Sequence, residues 1–191
     1  VIDLETYGWN DYFATALREL ALKSCVPGRV IADHGSYLKV VTPTETIAEI
    51  AGALTHASEP YQLPKVGDWV ALQLSDHDKA TIRAVLPRMS EINRKAAGTG
   101  NVRQVLATNV DIAFVVQALD FDFSPSRLER YTYQLRQSNI EPIFIFNKAD
   151  KVLDLPAKLA IVKALNVPFI VTTATAGEGI EDVRAIIQKG K

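Results

Sequence analysis

Cysteine occurs once in 191 residues, at position 25, so no disulfide can form within the chain. The lone thiol suits a reducing compartment, and no Cys/His grouping has zinc spacing. Cys25 reads as a small apolar residue, buried or half-buried. Long hydrophobic runs are also lacking: no window approaches the roughly twenty apolar residues a transmembrane helix needs. The first residues carry Asp3 and Glu5 instead of a basic and then apolar pattern, which argues against a signal peptide. The expected setting is therefore cytoplasmic, with no membrane partner. Neither sign of charge dominates, since 21 Lys and Arg face 22 Asp and Glu. A net charge of −1 generates no global attraction for nucleic acid, so any such contact must come from a local patch. What is present is an ordinary globular mixture, 48% hydrophobic and 23% charged, long enough for one large domain or two small ones.

The chain changes character along its length. Residues 1–26 form an N-terminal helical segment. The aromatic group Tyr7, Trp9, Tyr12 and Phe13 precedes a helical period in which Phe13, Leu17, Leu20 and Ala21 share a face. Asn10 is placed as N-cap, with Asp11 in the first turn. Packing is the expected role of the aromatic group, ahead of base stacking. Residues 27–95 hold five short β-rich runs, at 29–32, 37–42, 45–51, 66–72 and 80–86, punctuated by turn signals such as Asp33-His34-Gly35-Ser36 and Gly67-Asp68. Five strands in about seventy residues, without a helix-length period, predict a small antiparallel barrel of the OB-fold type. Side chains fill so small a barrel, leaving its function to a face or its loops.

Residues 96–109 read as a basic, polar linker. Across 88–103, Arg88, Arg94, Lys95 and Arg103 are opposed only by Glu91, a local excess of +3. Beside an OB barrel such a segment is a candidate for following an RNA backbone. The plainer alternative is a solvated linker with scattered charges.

From residue 110 strands alternate with helices, which predicts a parallel sheet. Residues 110–116, 142–146 and 167–172 are the strands. Ser124-Pro125 caps and opens a helix lined by Leu128, Tyr131 and Leu135. A second helix covers 155–165, with Leu159, Val162 and Leu165 inward, and a third starts at Ile180. Three strands are too few for a complete nucleotide-binding domain.

At the carboxyl end of the apolar run 142–146 stands Asn147-Lys148-Ala149-Asp150. Ligands of open α/β sheets bind outside the carboxyl ends of the strands. Guanine presents two adjacent donors, the ring N1–H and the exocyclic N2 amine, and one ionised carboxylate at Asp150 accepts both in a fork. Adenine has neither donor and would strand that carboxylate, at a cost of about 2–3 kcal/mol. Asn147 either meets the acceptor edge of guanine or ties neighbouring loops together. The Lys148 stem lies along the flat base with its ammonium in water. The following strand ends in Thr172-Thr173-Ala174, expected beside this turn, where the Ala174 N–H would reach guanine O6 and the Thr173 hydroxyl would brace Asp150. Alone, that second loop reads as a generic βα turn.

Base recognition is not hydrolysis. Phosphoryl transfer needs a cradle of backbone N–H groups, a lysine and a Mg²⁺ ligand, with the signature G-x-x-x-x-G-K-[ST]. Residues 1–191 contain no such stretch and no apolar strand followed by Asp-x-x-Gly. Either the parts of a GTPase are permuted and the chain stops before the phosphate loop, or GTP is never hydrolysed.

The ordered set Tyr7-Gly8-Trp9, Pro27-Gly28-Arg29-Val30, Val66-Gly67-Asp68-Trp69-Val70, Arg94-Lys95-Ala96-Ala97-Gly98, 104–111, Arg127-Leu128-Glu129-Arg130-Tyr131, Asn147-Lys148-Ala149-Asp150 and Gly177-Glu178-Gly179 resembles the RsgA (YjeQ/YloQ) family nearly end to end. That resemblance implies an N-terminal OB-fold barrel, then a circularly permuted P-loop GTPase domain, of which 110–191 would be the first part, then a zinc-binding domain. It implies a GTPase in late maturation of the small ribosomal subunit, with rRNA, ribosomal proteins and guanine nucleotide as partners, and hydrolysis used for release. On the family pattern Asn147, Lys148, Asp150, Thr173 and Ala174 form the GTP (guanine) site, with Thr173 replacing a commoner serine. Catalytic residues, the Mg²⁺ site and the Zn²⁺ ligands would lie beyond Lys191. A monomer is expected. The second reading is a non-catalytic RNA-binding OB-fold protein with an α/β docking element.

Overall fold

The computed structural model describes residues 2–75, 79–95, 103–188 and 190. It divides into two compact units, one of the described residues from 2 to 110 with Gly190 and one of the described residues from 111 to 188.

In the first unit a 3-10 turn over Leu4–Tyr7 leads into helix α1, Asp11–Glu19. Asn10 caps it: its side-chain oxygen accepts from the backbone N–H groups of Tyr12 (3.0 Å) and Phe13 (3.4 Å). Phe13 is buried with Trp69 and Leu86, and Trp9 meets Trp69 edge-on at 4.7 Å, so the aromatic group is packing. Leu20 and Ala21 fall past the end of α1 and are exposed, contrary to the expected stripe. The period outlasts the helix because Ala21 turns to φ +49°.

Strands β1 (Cys25–Asp33), β2 (Leu38–Val41), β3 (Glu45–Ile50), β4 (Trp69–Leu74) and β5 (Lys79–Val85) close a barrel in the order β1-β2-β3-β5-β4. Every pairing is antiparallel except β3 with β5, the arrangement of an OB fold. Val30, Leu38, Val40, Ala48, Val70, Leu72, Ala80 and Ile82 fill it. The β1–β2 turn forms where expected, with Asp33 accepting from the Gly35 N–H at 2.8 Å. Between β3 and β4 lies α2, Gly52–Ala57, which periodicity misses because six residues make less than two turns.

Residues 91–95, expected in the barrel, and the described end of the expected 96–109 linker both depart from those readings. β6 (Glu91–Lys95) and β7 (Arg103–Thr108) pair as an antiparallel ribbon separate from the barrel. Its base is fastened to the barrel: the Thr108 N–H donates to the Val66 carbonyl (3.1 Å) and the Asn109 side-chain amide to that of Gly67 (3.0 Å). β6 and β7 also carry apolar Ile92, Val105 and Ala107, and Val105 is buried.

In the second unit β8 (Ile112–Ala118), β9 (Glu141–Asn147) and β10 (Phe169–Val171) form a parallel sheet in the order β10-β9-β8. The central strand β9 buries five consecutive residues, as its unbroken apolar run requires. Helices α3 (Pro125–Gln137) and α4 (Leu155–Ala164) supply Leu128 and Val162 to a core with Leu119, Phe144, Phe146 and Val167. Pro125 opens α3 as expected, but the Ser124 hydroxyl makes no cap bond. Tyr131 is exposed on α3, whereas Leu128 and Leu135 are buried. Helix α5 (Ile180–Ile186) follows the last loop.

Candidate functional site

The site grows from the carboxyl ends of three neighbouring strands in the second unit. β8 and β9 are joined past their last rung, where the Leu119 N–H donates to the Asn147 carbonyl at 2.9 Å. β9 and β10 are joined likewise, Thr172 N–H to Phe146 carbonyl (2.8 Å) and Ala149 N–H to Thr172 carbonyl (3.2 Å). The segments 118–120, 147–150 and 172–174 are therefore held together by backbone bonds of the sheet and its margin.

Asn147 joins two of these segments. Its side-chain oxygen accepts from the Thr172 hydroxyl at 3.2 Å and from the Ala174 N–H at 3.0 Å. Of the two roles open to it in the sequence, loop tying is the one its oxygen performs. The Ala174 N–H, expected at guanine O6, is engaged by the Asn147 oxygen in this structure. Its amide nitrogen has no partner among the described residues. After Asn147 the backbone reverses through Lys148, in the left-handed region at φ +63°, into a 3-10 turn over Ala149–Lys151. A left-handed non-glycine costs about 1–2 kcal/mol and is held only where its surroundings demand it. Here it separates the two sides of the turn, with Asn147 directed at the next loop and Asp150 at solvent.

Asp150 is exposed and has no hydrogen-bond or ionic partner among the described residues. Both carboxylate oxygens are open to an incoming pair of donors. Thr173 is 5% exposed, and its backbone pairs with Glu178 through Thr173 N–H to Glu178 carbonyl (3.1 Å) and the reverse (3.3 Å). The expected bracing of Asp150 by the Thr173 hydroxyl is not formed. Thr173 closes its own loop, and Ala174 is exposed at the loop's surface.

Lys148 is not loose in solvent. Its ammonium lies 2.9 Å from a carboxylate oxygen of Asp120, just past β8. Asp120 is missed by sequence reasoning; the available signal was an acidic residue at the carboxyl end of a strand adjoining β9. The Lys148 hydrogen bond, followed by one from the Asp122 N–H, holds the Asp120 carboxyl below its ordinary carboxylate range.

The basic residues proposed for RNA divide. Arg88 is excluded: its Nε and Nη2 clasp both oxygens of Asp68 at 2.9 and 2.8 Å, and its remaining N–H groups reach the carbonyls of Tyr61 (2.7 Å) and Leu63 (3.1 Å) and the Glu91 carboxylate (3.4 Å). Asp68 is fully buried, so Arg88 is the counter-ion of an internal charge. Arg94 is exposed on β6, opposite Gln104. Lys95 and Arg103 are paired across the ribbon, but their side chains lie outside the described residues, as does the 96–102 stretch. No group of three His, Cys, Asp or Glu able to hold a metal occurs among the described residues, and none of their helices is long and apolar enough to cross a membrane.

One unit is a five-stranded barrel of the OB type, and the other a parallel α/β sheet with an Asn-Lys-x-Asp turn at its carboxyl edge, the combination that the family comparison then identifies. The RsgA GTPase family model matches residues 85–191, more than half of the chain, and the chain belongs to that family. Among curated proteins it is 36% identical to the small ribosomal subunit biogenesis GTPase RsgA of Opitutus terrae, over 93% of this chain and 52% of that protein. It is 32% identical to the protein of the same name from Syntrophotalea carbinolica, over 99% of this chain and 55% of that one. The chain thus spans about half the length of these relatives. Its fold is shared with YjeQ from Thermotoga maritima (TM-score 0.64, 19% identity, 84% of this chain and 56% of that one). It is shared equally with YloQ, a circularly permuted GTPase (TM-score 0.64, 18% identity, 87% and 57%).

Proposed function

We propose that these residues are the barrel and guanine-recognition half of a GTPase that acts in maturation of the small ribosomal subunit. The observation that carries the reading is Asp150: an exposed carboxylate without a partner among the described residues, on a strained turn beside a loop fastened by Asn147. Asp150 accepts from N1–H and N2 of guanine. The Asn147 amide nitrogen donates to the acceptor edge of the base, and the Lys148 stem lies along its face. Thr173 and Ala174 form the opposite wall; for the Ala174 N–H to meet O6, it must leave the Asn147 oxygen when the base arrives. GTP with Mg²⁺ is the substrate, and the magnesium and any zinc are held by residues outside this set. The protein works in the cytoplasm as a monomer and binds rRNA, in part through Arg94 and the ribbon residues Lys95 and Arg103. Hydrolysis drives release.

The test is Asp150→Asn in the protein expressed from its complete coding sequence. The amide keeps one acceptor and gains one donor. Xanthine, with a carbonyl where guanine has its N2 amine, fits that pattern better. GTP affinity falls at least about 30-fold, as expected for losing a charge-assisted fork worth about 2–3 kcal/mol, and affinity for xanthosine triphosphate rises. Unchanged affinity for both nucleotides overturns the assignment.

A further inference from the structure

We propose that Asp120 is a positioning residue for guanine binding, acting through Lys148; the inference rests on the guanine-site reading above. The base-facing part of a lysine is a flexible stem with about 2 kcal/mol of rotamer entropy to lose. A ligand that must order it binds more weakly than one that finds it ordered. The stem is held at both ends, by the left-handed backbone of Lys148 (φ +63°, ψ +41°) and by the 2.9 Å contact of its ammonium with Asp120.

Asp120 is a suitable anchor because its own backbone is fixed. Lys158, on α4, donates from its ammonium to the Leu119 carbonyl and, at 3.0 Å, to the Asp120 carbonyl. The same ammonium lies 5.5 Å from the centre of the Phe123 ring. On the other side Gln117, 4% exposed, donates to the Asp122 carbonyl at 3.2 Å. The Asp120 side chain is 14% exposed against 45% for Lys148, so the carboxylate is the fixed member of the pair and the ammonium the mobile one. The Asp120 carboxylate also accepts from the Asp122 N–H at 3.1 Å; an amide there would keep that acceptor and the loop's backbone bonds, and lose chiefly its charged hold on Lys148. The fold does not depend on the pair; the preformed shelf for the base does.

A double-mutant cycle in the protein from the complete coding sequence tests this, with affinity for a fluorescent GDP analogue as readout and Asp150→Asn as reference. Asp120→Asn should weaken binding about fivefold, the scale of a half-exposed ion pair, with the melting temperature unchanged. Asp120→Glu should restore part of the loss. On a Lys148→Gln background, Asp120→Asn should cost nothing further. If Asp120→Asn leaves affinity within twofold, or costs the same on both backgrounds, while Asp150→Asn still abolishes guanine preference, this inference fails and the guanine site stands. If Asp150→Asn changes nothing either, both fall.

Discussion

Arg88 shows how far a residue's role depends on its partners. Its five N–H donors are all engaged, and two of them neutralise a carboxylate with no access to water. Removing one member of a buried pair leaves the other charged in a poor dielectric, at about 3–5 kcal/mol. Arg88→Met should destabilise the first unit by that amount in urea titrations, and the double substitution with Asp68→Leu should recover much of the loss. A loss below about 1 kcal/mol for Arg88→Met would show the pair to be solvated. In sequence Arg88 is one cation among four in a basic stretch, and nothing local distinguishes it from Arg94, which is exposed. The difference is that Asp68, twenty residues earlier, is folded beneath one and not the other.

At the scale of elements, the β6–β7 ribbon depends on a close approach of chains. A Cβ on Gly67 would lie 2.0 Å from the Thr108 carbonyl oxygen, and its backbone sits at φ +96°. Gly35, in the β1–β2 turn, shares the positive φ (+79°) but has nothing within 4 Å of the same position. Gly35→Ala should therefore cost only the backbone strain, about 1–2 kcal/mol. Gly67→Ala should cost at least about 1 kcal/mol more, because the end of β7 must move. Equal melting temperatures for the two variants would contradict this. The barrel strands and the sheet strands were legible because each is a short apolar run bounded by turn residues, the pattern a filled barrel and a central parallel strand both require. The ribbon was not legible: its strands carry Arg94, Lys95, Arg103 and Gln104, and pairing across a gap of seven residues leaves no local signal.

For the whole molecule, recognition and turnover are separable. The 191 residues hold an exposed carboxylate, Asp150, at a strand's carboxyl end, but no G-x-x-x-x-G-K-[ST] stretch. Binding energy for a nucleoside triphosphate comes largely from its phosphates, and hydrolysis requires them to be held with a metal. These residues alone should bind GTP more weakly than about 1 µM and show no multiple turnover. Measurable steady-state phosphate release from these 191 residues would show that the phosphates are handled by residues not recognised as a cradle.

By itself the sequence determined the alternation that builds a barrel and then a parallel sheet, and the placement of Asn147, Lys148 and Asp150 at a strand's carboxyl end. These follow from periodicity and chain order, which are local. Only the tertiary structure decided that Arg88 is an internal counter-ion, that the Asn147 oxygen takes the Ala174 N–H, and that Lys148 is held by Asp120. Each of these joins residues about twenty or more positions apart, and the strength of a charge or hydrogen bond is set by distance and water exclusion, which exist only once the chain has folded.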